Sequence, residues 1–162
     1  MQGTKARIVR NIFEGAAIGL LIGSIIALVL WLINPAAAAT TTNRYTYDVV
    51  GIYDGDTFYI RMDGLPVELQ RIGVRVRGVD TAEMKGKCAF EKSTAAGAKL
   101  FTTRQLKLSG NRVTLQGLKW DKYGGRVDAD VFLANGQKLA DMMIQQGYAR
   151  PYNGGKRAGW CQ

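Results

Sequence analysis

The chain has 162 residues and a formal charge of +9, from 22 Lys and Arg against 13 Asp and Glu. That is enough for one hydrophobic core and is disposed toward a polyanionic partner. It contains no histidine, which excludes Ser-His-Asp and Cys-His nucleophilic machinery and His-ligated zinc, and its two cysteines, Cys88 and Cys161, are too few for a four-thiolate metal centre.

Residues 16–33 form a run of 18 uncharged, mainly apolar residues, preceded by Lys5, Arg7 and Arg10. As a helix the run spans roughly 27 Å, a little short of the ~30 Å hydrocarbon core and longer than the usual signal-peptide core. Asn34-Pro35 and the alanines at 36–39 place small residues where a signal peptidase cuts. Residues 1–39 therefore read as a signal peptide or as an N-terminal membrane anchor. In both cases the basic flank stays cytoplasmic and the remainder is exported. The domain is secreted or periplasmic if cleavage occurs, and membrane-anchored on the outside if it does not. Residues 40–46 read as a linker and residues 47–162 as the folded domain. From Thr40 onward there remain 123 residues carrying 19 basic and 12 acidic side chains, so the exported part is itself basic.

Short strands come first: 49–53, then 57–60, then a turn at Asp63-Gly64-Leu65-Pro66. Ile72, Val74 and Val76 alternate with Gly73, Arg75 and Arg77, so a strand here buries the first set and presents both arginines on its other face. Residues 91–106 are rich in Ala, Lys, Leu and Gln without proline and predict a helix, with Gly97 as its weak point. Strand character resumes at 112–115 and 126–133, Asn135-Gly136 marks a tight turn, and 139–146 predicts a short helix ended by Gly147. The order is mainly β with interposed helices (α+β). The leading fold is an OB-type five-stranded barrel with packed helices, preceded by the N-terminal hydrophobic helix.

Three clusters carry the chemistry. Asp54-Gly55-Asp56-Thr57 places two carboxylates at a strand junction; Asp80-Thr81-Ala82-Glu83 follows the arginine-bearing strand; Asp121-Lys122-Tyr123-Gly124-Gly125-Arg126 surrounds a glycine turn. Each alone reads equally as a turn with solvated charges. Together they supply hard oxygen ligands and planar guanidinium forks suited to phosphate.

With these three motifs in this order, residues 47–151 resemble the staphylococcal-nuclease-like, or thermonuclease, family. The resemblance implies a five-stranded OB barrel and calcium-dependent hydrolysis of DNA and RNA; the absence of base-reading motifs predicts little sequence specificity. It implies that Asp56, Asp80 and the Thr81 carbonyl ligate calcium. Glu83 acts as general base or water positioner, and Arg75 and Arg126 clamp the phosphate. Lys122 and Tyr123 contact the flanking nucleotide. The family's spacing selects Arg75 over Arg77, which is expected to add only general attraction, and Asp54, Asp121 and Asp128 read as turn or surface residues. Tyr148 and Tyr152 read either as base-stacking surfaces or as barrel packing.

This chain departs from the family where Ala82 replaces a more usual proline, where Gly125 is inserted before Arg126, and in a longer hairpin between Asp56 and Arg75. It also ends at Gln162 without the type member's long final helix. A disulfide between Cys88 and Cys161, permitted by export, is expected to tie the tail beside the Glu83 loop instead. No protein partner is implied and a monomer is expected. The alternative reading is a non-catalytic OB-fold module that binds single-stranded nucleic acid outside the membrane.

Overall fold

Alternating apolar and polar side chains build the first half of the domain. The computed structural model describes residues 43–122 and 124–161; the proposed signal or anchor segment and Tyr123 lie outside the described residues. Strands β1 (Arg44–Ile52) and β2 (Thr57–Arg61) form a hairpin, and β2 pairs antiparallel with β3 (Arg71–Val76). After β4 (Val79–Thr81) comes helix α1 (Ala89–Leu108), followed by β5 (Arg112–Trp120), β6 (Arg126–Phe132), helix α2 (Leu139–Gln145) and β7 (Ala149–Pro151).

The five long strands close into a barrel in the order β1-β2-β3-β6-β5, antiparallel except where β3 runs parallel to β6. This is the expected OB-type α+β fold. Phe58, Ile60, Val74, Val76, Val113, Leu115 and Val131 fill its interior, and Leu106 of α1 and Met143 of α2 join the same core. Each such side chain contributes about 1.5–3 kcal/mol when fully buried. Outside the barrel, β4 and β7 form a separate two-stranded ribbon in which Asp80 faces Arg150.

Helix α1 is capped by Cys88, whose sulfur accepts the Glu91 N–H at 3.4 Å, and it buries Ala95, Ala98, Thr102 and Leu106. Gly97, the expected weak point, is where the Tyr148 ring approaches: a Cβ there would lie 3.2 Å from Tyr148 Cε1. Tyr148 also stacks on Phe101 of α1 with ring centroids 4.9 Å apart.

Three of the differences from expectation have a structural cause. Strand β1 begins at Arg44, so residues 44–46 belong to the barrel and not to a linker. Residues 79–81, to which no strand was assigned, form β4 because β7 supplies a partner that is distant in sequence. Strand β5 runs to Trp120, well beyond 112–115, because a bulge between Gln116 and Lys119, with Gly117 at φ +64°, lets pairing with β6 continue.

That bulge also corrects the assignment of Arg77. Its guanidinium donates to the carbonyls of Gly117 and Asp128 and pairs with Asp130 at 3.1 Å. It is a half-buried clamp whose two terminal nitrogens are engaged at the β5–β6 bulge.

Candidate active site

The Asp54-Gly55-Asp56 turn is held from three sides. The Tyr53 and Asp54 N–H groups both donate to the Thr57 carbonyl, at 3.0 and 3.2 Å, and the Asp56 carbonyl accepts from Val76 N–H at 2.8 Å. Behind it, Thr102 of α1 donates to the Gly55 carbonyl at 2.6 Å. The helix comes so close that a Cβ on Gly55 would lie 2.7 Å from the Ala98 methyl. Glycine is therefore required here by contact, beyond its turn propensity.

The turn projects Asp56 inward, where it is 2 % exposed. The fork of Arg75 grips this carboxylate through both nitrogens, at 3.0 and 3.2 Å, and Thr57 Oγ1 donates to it at 2.9 Å. The two meet because Thr57 and Arg75 are cross-strand partners. Asp54 Oδ1 accepts the Asp56 N–H at 3.1 Å. Burial, and then the neighbouring Asp56 charge, raise the Asp54 carboxyl to about 6. Asp54 is thus part of the site's acidic cluster, more than the simple turn residue its dipeptide predicts.

Asp80 and Thr81 are 4 % exposed on β4. One Asp80 oxygen accepts from Trp160 Nε1 at 3.3 Å, and the other lies 3.1 Å from Arg157 Nε as an ion pair. That second oxygen is buried and receives no hydrogen bond of acceptable geometry. Glu83 stands exposed on the following loop, and the Arg157 guanidinium bridges to it as well. Burial acts to lower the Arg157 pKa, but the charges of Asp80, Glu83 and, more weakly, Asp56 raise it overall. One cation therefore senses all three acids.

Ala82, which stands in place of the family's proline, is buried with Ala95 and Trp160. Packing restrains the loop where a proline ring otherwise would. The inserted Gly125 is absorbed by the hairpin: Gly124 and Gly125 both adopt positive φ, at 74° and 67°, and Arg126 enters β6 beside Gly73 of β3. The Arg126 guanidinium pairs with Asp121.

An open cavity of about 570 Å³ brings Arg75, Arg126 and Arg157 together with Lys122 and Tyr152. Of the site residues expected from sequence, Arg75, Arg126 and Lys122 share this cavity. Asp56 touches it through Arg75, whereas Asp80, Thr81 and Glu83 line a second cavity of about 220 Å³ that shares Arg157 with the first. Tyr123 lies outside the described residues. Arg157 and Trp160 were not expected from sequence. The signal in the sequence is a basic and aromatic tail that carries Cys161.

That tail is fastened by the ribbon. Arg150 donates to the Gly159 carbonyl at 3.0 Å, and its guanidinium covers the Trp160 ring at 3.9 Å. The sulfurs of Cys88 and Cys161 lie 2.26 Å apart. With Glu91 they form the set of three potential ligands found within 4.8 Å of one another among the described residues. Paired sulfurs are poor ligands, and Glu91 already accepts the Lys87 N–H at 2.8 Å, so this set reads as a capping and closure device.

A closed five-stranded barrel with buried carboxylates and guanidiniums gathered around one cavity defines a nuclease-type domain. The family model described as staphylococcal nuclease homologue matches residues 73–158, and the chain belongs to that family. The matched segment contains Arg75, Asp80, Glu83, Arg126 and Arg157. The chain is also 31 % identical over 144 residues to an uncharacterized protein of Methanocaldococcus jannaschii, an alignment covering 75 % of this chain and 67 % of that protein.

Proposed function

We propose that this domain is an exported, calcium-dependent nuclease that hydrolyses phosphodiester bonds of DNA or RNA with little sequence specificity. The observation that carries the reading is the cavity in which Arg75 and Arg126 face a shared space beside two buried carboxylates. Planar guanidinium forks match the non-bridging oxygens of a phosphate diester.

The donor set fits a hard cation. Asp56 and Asp80 are buried carboxylates, Thr81 adds a backbone carbonyl, and one Asp80 oxygen is buried without a hydrogen bond. Calcium held there would neutralise charge and polarise a phosphate oxygen. Arg75 and Arg126 orient the diester and offset the charge that grows on phosphorus. Glu83, exposed at the rim, positions a water and accepts its proton. Lys122 attracts the neighbouring phosphate, and Tyr123 is assigned to the flanking nucleotide. Phosphate contacts carry no sequence information, which supports low specificity. Export supports a Cys88–Cys161 disulfide, and a monomer suffices for the site.

The second reading, a non-catalytic binding module, is favoured by one observation: Arg157 already engages Asp80 and Glu83. Incubating the full chain with single-stranded DNA, in calcium and then in excess chelator, separates the two. Metal-dependent fragments are the expected outcome. Intact but retarded DNA in both lanes overturns hydrolysis in favour of binding alone.

A further inference from the structure

We propose that the outer face of the barrel beside Arg126 is a subsite for an unpaired base of a single-stranded nucleic acid. It continues the arginine cavity, and it rests on the nucleic-acid reading above. Strand register lays one row of residues across four strands: Gly51 opposite Tyr59, Tyr59 opposite Gly73, and Gly73 beside Arg126. The Tyr59 ring therefore stands between two residues without side chains.

The two flanks of that ring differ. On the Gly51 side, the Arg71 guanidinium lies 3.9 Å from the ring centroid, and a Cβ on Gly51 would meet Arg71 Nη2 at 3.4 Å. On the Gly73 side the space opens into a cavity of about 490 Å³ lined by Tyr53, Tyr59, Gly73 and Arg126. The aliphatic stem of Arg126 lies over Gly73, since a Cβ there would meet Arg126 Cγ at 3.3 Å. Tyr53 is 58 % exposed at this cavity.

Continuity with the phosphate site supplies the occupant. Arg126 lines both cavities, so a strand with its phosphate between Arg75 and Arg126 leads its next nucleotide over Gly73 toward the tyrosines. Every base offers a π-face, so an aromatic wall takes any base, provided it is unpaired. Two tyrosines backed by a stacked guanidinium form such a wall, on the β2–β3 face that OB barrels commonly use for oligomeric ligands.

The test measures fluorescence anisotropy of labelled thymidylate di-, tetra- and hexanucleotides with the full chain in excess chelator, where no strand is cut. The parent is expected to tighten about tenfold between the dinucleotide and the longer strands. The Tyr53→Ala/Tyr59→Ala protein should keep the dinucleotide affinity, which also reports that it is folded, and lose that step. Tyr59→Phe, which keeps the ring, should retain it. A double variant with the parent's full length dependence overturns the subsite, as does one that weakens all lengths equally. Parallel digestion in calcium separates the claims. Cutting with an unaltered or absent length dependence removes the subsite alone, a tyrosine-dependent step without cutting removes hydrolysis alone, and the absence of both binding and cutting removes both.

Discussion

Replacing Arg157 with glutamine isolates the link between the tail and the acids. In the parent, Asp80 has a 6 % exposed side chain whose counter-charge comes from Arg157, itself 40 % exposed, while Trp160 supplies a hydrogen bond. Breaking a fully buried pair costs about 3–5 kcal/mol. Solvent around the guanidinium and the surviving Trp160 contact reduce this to about 1–2 kcal/mol. In excess chelator, Arg157→Gln should therefore unfold at lower urea by that amount. Calcium should reverse the order. With the competing cation gone from Asp80 and Glu83, calcium affinity should rise about tenfold, or ~1.4 kcal/mol, and stability should climb more steeply with added calcium than in the parent. The assay is urea unfolding at a series of calcium concentrations. Unchanged stability in chelator together with equal or weaker calcium binding would refute the reasoning, because Arg157 would then be neither a counter-ion nor a competitor.

The remaining predictions concern the turn, its acid and the tail. Gly55→Ala places a methyl 2.7 Å from the Ala98 Cβ; the overpacking should cost about 1–3 kcal/mol in a thermal melt and displace Asp56, lowering hydrolysis as well. The Asp54 carboxyl is raised from 3.8 to about 6, so the folded chain binds this proton more tightly than the unfolded one. Its contribution is complete at the acid end and is lost as pH rises between those two values. In chelator, Asp54→Asn should match the parent at the low end of that window and exceed it by about 1–2 kcal/mol at neutral pH, after allowance for partial exposure; a constant difference across the window would count against this account. Thiol titration of unreduced, denatured protein should find no free thiol at Cys88 or Cys161. Reduction should lower stability by about 4 kcal/mol for a bridge spanning 73 residues, and two free thiols per chain would end the idea.

Much of the barrel could be read directly because its signals are local. Alternation at Ile72, Val74 and Val76 marks a strand with one core face, and Val74 and Val76 are indeed buried. A proline-free, Ala- and Leu-bearing stretch marks α1, and Gly147, at φ +73°, ends α2 where a left-handed residue is needed. The Asp-Gly turn announces itself as a turn. It does not announce that its glycine is demanded by Ala98 on a helix more than forty residues later. Period-two patterning likewise gave Arg75 and Arg77 a common face, yet one grips Asp56 and the other is consumed by the Gly117 bulge. The difference lies in what stands opposite each on other strands.

Composition alone settled that imidazole chemistry is absent and that carboxylates, Lys, Arg, Tyr or a hard cation must carry any catalysis, and motif order assigned Asp56, Asp80, Glu83, Arg75 and Arg126 as the set to look for. Tertiary structure alone decided that the tail returns to place Arg157 and Trp160 on Asp80, and that Gly51, Tyr59, Gly73 and Arg126 fall in one row. The physical reason is that periodicity constrains only which face a side chain takes. Register across a barrel, and the path of a tail about 75 residues beyond its target, are selected by the total burial and pairing energy of the closed fold.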